Sequence, residues 1–195
     1  MSTNLKTLAL IAASTIAVAG MAAPATAKHH SAKAMHTVMV GGAAMYPTRN
    51  IVENAVNSKD HTTLVAAVKA AGLVDTLQSA GPFTVFAPTN AAFAKLPAGT
   101  VATLLKPENH DTLAKILTYH VVAGRVTAQD LTAMIKAGRG SAKISTVSGG
   151  TLTAKMMGKR IMLIDEKGGM AHVTQANVMQ SNGVIHVTDA VSLPG

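Results

Sequence analysis

The chain has 195 residues, 48% of them hydrophobic and 13% charged, which suits one ordinary domain and excludes a disordered polyelectrolyte. Zero cysteines exclude a disulfide scaffold, a thiol nucleophile and thiolate metal ligands; three Phe, two Tyr and no Trp are too few for a base-stacking surface. The formal charge of +8 contains no run of three basic residues, which points to weak association with polyanions and away from nucleic acid.

The first 27 residues have the layout of a secretory signal peptide: Lys6, an apolar run from Leu8 to Ala19, and Ala25-Thr26-Ala27 as a cleavage site. The run falls short of the ~20 residues of a permanent membrane helix, so an exported protein, periplasmic or extracellular and without stable membrane insertion, is expected. Removing Lys6 from the 17 basic residues leaves 16 against nine acidic ones, a balance of +7. Residues 28–48 are rich in Ala, His and Met without a sustained period and are expected to form a mobile N-terminal arm. Cleavage after Ala27 would expose Lys28-His29-His30. A free α-amine, two amides and the third-position imidazole make the square-planar nitrogen set of Cu(II) or Ni(II), so His29 and His30 are candidate metal residues.

The domain proper is assigned to residues 49–195. Ile51, Val52, Ala55 and Val56 share a helical face; Thr62 or Thr63 opens a helix that Gly72 stops, and Leu73 to Leu77 forms another short turn. Gly81-Pro82 breaks the chain before a strand over Phe83 to Ala87, and Pro88-Thr89-Asn90 opens a helix through Phe93. Helices follow near Thr100–Leu105, Asp111–Tyr119 and Gln129–Lys136, the second with Leu113, Ile116, Leu117 and His120 on one face. After Gly140 come β-prone segments at 143–147, 151–156, 160–164, 171–178 and 184–191, separated by glycines and by Asn182-Gly183, a tight hairpin signal. The order predicts an α+β domain whose largely antiparallel sheet comes mostly from the C-terminal half.

No nucleophile elbow, S-x-x-K, H-E-x-x-H, Walker loop or complete G-x-G-x-x-G occurs. Asp165-Glu166 is the sole adjacent acidic pair and reads as a solvated loop. His120 reads as a hydrogen-bonded core residue, and the methionines mostly as core filler.

Three motifs carry a family resemblance. Thr84-Val85-Phe86-Ala87-Pro88-Thr89-Asn90-Ala91-Ala92-Phe93 resembles the first signature of fasciclin (FAS1) domains. Leu117-Thr118-Tyr119-His120-Val121-Val122 resembles the central Tyr-His motif, and Asn182-Gly183-Val184-Ile185-His186-Val187-Thr188-Asp189 the second signature. The resemblance, covering about Asn50 to Pro194, implies a wedge-like β-sandwich with flanking helices. It also implies a secreted or surface-attached adhesion module, not an enzyme and without a cofactor, that binds a cell-surface or matrix protein or polysaccharide. The motif residues Thr84, Phe86, Pro88, Thr89, Asn90, Phe93, Tyr119, His120, Asn182, Gly183 and His186 are expected to be structural. In animal members an Asp-Ile pair before the second signature and the Tyr-His segment are associated with integrin binding. The matching positions, Asn177-Val178 with Tyr119 and His120, are the candidate partner-binding residues, although Asn177 lacks the carboxylate. The alternatives are a periplasmic carrier of a small ligand or of copper through its N-terminus and, third, a hydrolase with dispersed catalytic residues. The oligomeric state stays open.

Overall fold

Residues 37–195 are described by a computed structural model. A hairpin comes first, β1 (Val38–Val40) and β2 (Ala43–Met45), turned at Gly41 and Gly42, which both take the positive φ that a tight two-residue turn requires. This corrects the expected arm over residues 38–45, where Val40 and Met45 are buried in the core. The signal peptide and the Lys28-His29-His30 site lie outside the described residues.

Five short helices surround the first core: α1 (Ile51–Ala55), α2 (Thr62–Ala70), α3 (Val74–Gln78), α4 (Asn90–Ala94) and α5 (Thr100–Leu104). The strand β3 (Phe83–Pro88) lies between α3 and α4. Then follow α6 (His110–Tyr119), β4 (Val121–Ala123) and α7 (Ala128–Ala137). Capping boxes fix two of the starts: Asn50 with Glu53 at α1, and Thr127 with Asp130 at α7.

The remaining strands are β5 (Ser141–Ser145), β6 (Thr151–Met157), β7 (Arg160–Ile164), β8 (Met170–Gln180) and β9 (Gly183–Thr188). They join β3 and β4 in one seven-stranded sheet of order β4-β3-β9-β8-β7-β6-β5. All pairs are antiparallel except β3 with β9, which run parallel in register from Phe83↔Gly183 to Pro88↔Thr188. The long β8 changes register twice, between Val173 and Val178, and so pairs with β7 at one end and β9 at the other.

Two cores lie on opposite faces of the β3–β9 pair. Val85, Ala87, Ile185 and Val187 meet α1–α3 and α6 in the first. Phe86 enters the second, with Leu131 and Ile135 of α7 and Ile144, Leu152 and Leu163 of β5–β7. Strands buried on both faces read as near-continuous apolar runs, as Phe83 to Ala87 does apart from Thr84. Both ends of the sheet contribute to the second core, and Val147 N donates to Val121 O (2.8 Å), so the sheet curls almost into closure.

Candidate functional site

The motif residues hold the frame together. Thr84 Oγ1 donates to Gly124 O (2.7 Å) and accepts from Val126 N (2.8 Å), fixing the loop that leaves β4. Pro88 ends β3 opposite Thr188. Thr89 caps α4 through Ala92 N (3.2 Å), and Phe93 is buried behind it. Asn90 accepts from Thr63 N (2.9 Å) and donates to Lys59 O (2.8 Å) and Thr62 Oγ1 (2.9 Å), clamping α4 to the start of α2.

Asn182 accepts from Ile51 N (3.0 Å) and donates to Leu77 O (2.8 Å) and Ser79 O (2.9 Å), joining α1 and α3 to the sheet. The hairpin between β8 and β9 therefore turns at Ser181-Asn182 and not at the expected Asn182-Gly183, with Gln180 opposite Gly183. Gly183 is already strand, and a Cβ there would stand 2.1 Å from Phe83 O.

The aromatic and imidazole rings are equally engaged. Tyr119 is fully buried; its hydroxyl donates to Thr151 O (2.8 Å) and accepts from Glu166 N (3.2 Å), and burial pushes its pKa up to about 12. His120 bonds Ile116 O through Nδ1 (2.8 Å) and accepts from Ser192 N at Nε2 (3.0 Å), pinning the C-terminal segment. His186 stacks on Phe86 with ring centroids 5.6 Å apart, while its Nε2 faces Val126 O (2.9 Å). Burial holds both imidazoles below their ordinary pKa, so they are neutral.

Of the candidate partner-binding residues, Tyr119, His120 and Val178 are buried and offer a partner no surface. Asn177 is half-buried at φ 58°, with its Oδ1 accepting from Ala128 N (2.8 Å) and its Nδ2 donating to Gln129 Oε1 (3.0 Å). Its amide is thus used in seating α7. Asp165 departs from the solvated-loop expectation: it is buried, and its carboxylate accepts from Lys167 N, Gly169 N and Leu193 N.

An apolar cavity of about 60 Å³ lies in the first core, lined by Val68, Leu77, Val85 and Ile185 among others. Pockets for drug-sized ligands run to roughly 300–1,000 Å³, so this one is small for such a ligand. His61 borders it with Nδ1 on Ser58 Oγ (2.9 Å); among the described residues its Nε2 has no hydrogen-bond partner, though the nearby Ala87 carbonyl favours protonation. Burial outweighs that and holds the ring's pKa low.

The surface carries a feature that linear reading missed. Lys136, Arg139, Lys143, Lys155, Lys159 and Arg160 are all exposed, and no carboxylate occurs between residues 136 and 164. The pairings Lys143↔Thr153 and Met157↔Arg160 put Lys143, Lys155 and Arg160 on the outer face, because Ala142, Ile144, Leu152, Ala154, Ile161 and Leu163 take the inner one. Lys159 sits in the turn from β6 to β7, and Lys136 and Arg139 at the exit of α7 toward β5. Among the described residues the ion pairs are Lys95–Asp189, Lys106–Glu108, His110–Asp111 and His172–Asp189, none involving these six cations. The outer face of β5–β7 therefore carries Lys143, Lys155 and Arg160 together, with Lys159 in the adjoining turn, whereas Lys136 belongs to α7, which packs on the inner face. The signal in the sequence was the acid-free stretch, not a basic run.

An α+β domain with a curled mixed sheet, flanking helices and buried Tyr-His and Asn-Gly motifs defines a fasciclin-type fold. The fasciclin domain pattern matches residues 59–194, and the chain belongs to that family. Protein sll1483 of Synechocystis sp. is 49% identical over 158 residues, covering 81% of each chain. Immunogenic protein MPB70 of Mycobacterium bovis is 35% identical over 204 residues, covering 94% of this chain and 96% of that one. The fold is shared with a solved FAS1 domain pair from the insect cell adhesion molecule fasciclin I, at TM-score 0.59 and 20% identity, covering 75% of this chain and 51% of that one. Among the described residues no helix is long and apolar enough to cross a membrane.

Proposed function

We propose that this domain is a non-enzymatic, exported adhesion module that holds an anionic surface polysaccharide against the cationic face of β5–β7. The observation that carries the reading is the set of exposed, unpaired cations Lys143, Lys155 and Arg160 on the outer face of β5–β7, with Lys159 in the turn beside them. Clustered charge attracts a polyanion cooperatively, whereas isolated surface charges are screened beyond ~8 Å at physiological ionic strength. The adhesion molecule that shares the fold lends further support. Two His–carboxylate pairs among the described residues could begin a catalytic relay, but His110–Asp111 is exposed, and the far nitrogen of His172 meets Met157 Sδ rather than a hydroxyl.

Co-sedimentation with washed envelopes, and retention on an immobilised carboxylated or sulfated polysaccharide, test the proposal at low and high salt. Wild type is expected to bind at low salt and release at high salt. The triple variant Lys143→Glu, Lys155→Glu, Arg160→Glu is expected to lose binding while keeping its far-UV circular dichroism. Salt-independent binding, or full binding by the triple variant, would overturn the electrostatic mechanism.

A further inference from the structure

We propose that Met157, Met162 and His172 form a binding site for a soft monovalent metal ion, Cu(I), on the outer face of β6–β8. His172 lies between the buried Ala171 and Val173 of β8, so its ring stands on the face away from the second core. Its backbone N–H donates to Asp189 Oδ1 (2.8 Å), and its Nδ1 faces Asp189 Oδ2 (3.3 Å). A carboxylate in that place accepts a hydrogen bond from Nδ1–H and fixes the tautomer whose Nε2 lone pair points outward, as the second shell of a metal-bound histidine does.

That Nε2 meets Met157 Sδ at 3.4 Å. In a neutral ring with its proton on Nδ1, both atoms are electron-pair donors, and a cation between them turns a poor contact into a good one. A metal with bonds of about 2.0 Å to nitrogen and 2.3 Å to sulfur holds such ligands about 3.5 Å apart at a tetrahedral angle, so the pair already stands at ligand spacing. Met162 is the direct cross-strand partner of His172, which puts a second thioether side chain on the same face beside the ring. Met157 is 58% exposed and Met170, two residues before His172, is 60% exposed, so these side chains are not core filler.

Thioethers with imidazole select Cu(I) over Mg(II), Ca(II) or Zn(II), because no carboxylate or thiolate enters the ligand set. The surroundings favour low charge as well. Lys155 is paired with Met162 and Arg160 with Met157, and their repulsion of a bound cation grows with its charge.

The test is competition for Cu(I) against a colorimetric chelator, using purified protein in which His29→Ala and His30→Ala remove the other candidate copper residues. One equivalent of Cu(I) is expected to be retained. Met157→Leu and Met162→Leu, which keep apolar volume, are each expected to weaken it on the order of tenfold or more, since loss of a supporting residue alone typically costs that much. Ag(I), a diamagnetic stand-in, is expected to shift the Met157 and Met162 ε-methyl NMR signals, and Zn(II) to leave them in place. No retained copper, equal retention by the Met157→Leu/Met162→Leu double variant, or Ag(I) shifts confined to Met35, Met39 and Met45 would each overturn the site. Both single variants keep every cation of the adhesive face, so the polysaccharide assay separates the two proposals.

Discussion

Asn182 and Gly183 show how a local signal can be right about a motif and wrong about its mechanism. An Asn-Gly pair between apolar runs is read as a turn because both residues tolerate positive φ. Here the glycine serves packing: the parallel approach of β3 leaves no room for a Cβ beside Phe83 O. Gly183→Ala must push two central strands apart and is expected to cost at least the ~1–3 kcal/mol of ordinary overpacking, read as a lower urea midpoint. An unchanged midpoint would mean that the strands separate freely. The buried histidines make a second prediction at this scale. His61, His120 and His186 have lowered pKa values, each mainly through desolvation. The unfolded chain therefore takes up protons first, below about pH 6.5. Their contribution to stability is complete above that pH and is lost as pH falls toward the lowered folded-state values, by up to ~1.4 kcal/mol per pH unit for each ring. Urea midpoints should thus drop between pH about 7 and about 5, and His186→Gln should make the drop shallower; a flat profile would show that the rings charge within the fold. Sequence identified His120 as a core residue from its helical face, but its partner Ser192 lies 72 positions away and left no local trace.

At the scale of elements, the helices were the most legible. Those ending in Gly72 and Tyr119 follow a 3.6-residue apolar period, and their boundaries agree with the pattern to within a residue or two. The first hairpin was missed, because three-residue strands are too short to display a period and Gly41-Gly42 was the only cue. What seats the hairpin is the next element: Asn54 of α1 accepts from Tyr46 N (3.0 Å) and donates to Tyr46 O (2.8 Å), holding the end of β2. Met45 is consequently 2% exposed, and Met45→Ala is expected to destabilise the domain by about 2–5 kcal/mol in urea titration. A loose arm would give no change. The register shifts of β8 and the parallel β3–β9 pairing were also illegible, since both depend on which strands meet. Strand content could be read from composition; strand order could not.

At the scale of the whole molecule, the charge looked diffuse along the sequence because its neighbours in space belong to different strands. The acid-free stretch from residue 136 to 164 folds into α7's exit and three adjacent strands, and antiparallel alternation then turns Lys143, Lys155 and Arg160 outward together. Net charge and clustered charge make different predictions, and an equal change in charge elsewhere separates them. Lys59, Lys69 and Lys106 are exposed and belong to the helical half of the molecule. Replacing all three by Glu lowers the net charge by as much as the triple variant on β5–β7. If long-range attraction by the total charge dominated, both variants would release a polysaccharide equally. If the cationic face makes the contact, the helical variant should keep most of its low-salt retention, whereas the sheet variant should lose it, because ions within a Debye length of several fixed cations feel their sum. The salt dependence carries the same information: bound cations release counterions as the complex forms, so the slope of log affinity against log salt should shrink in the sheet variant alone. Equal slopes in both variants would place the attraction in the net charge and remove the cationic face from the mechanism.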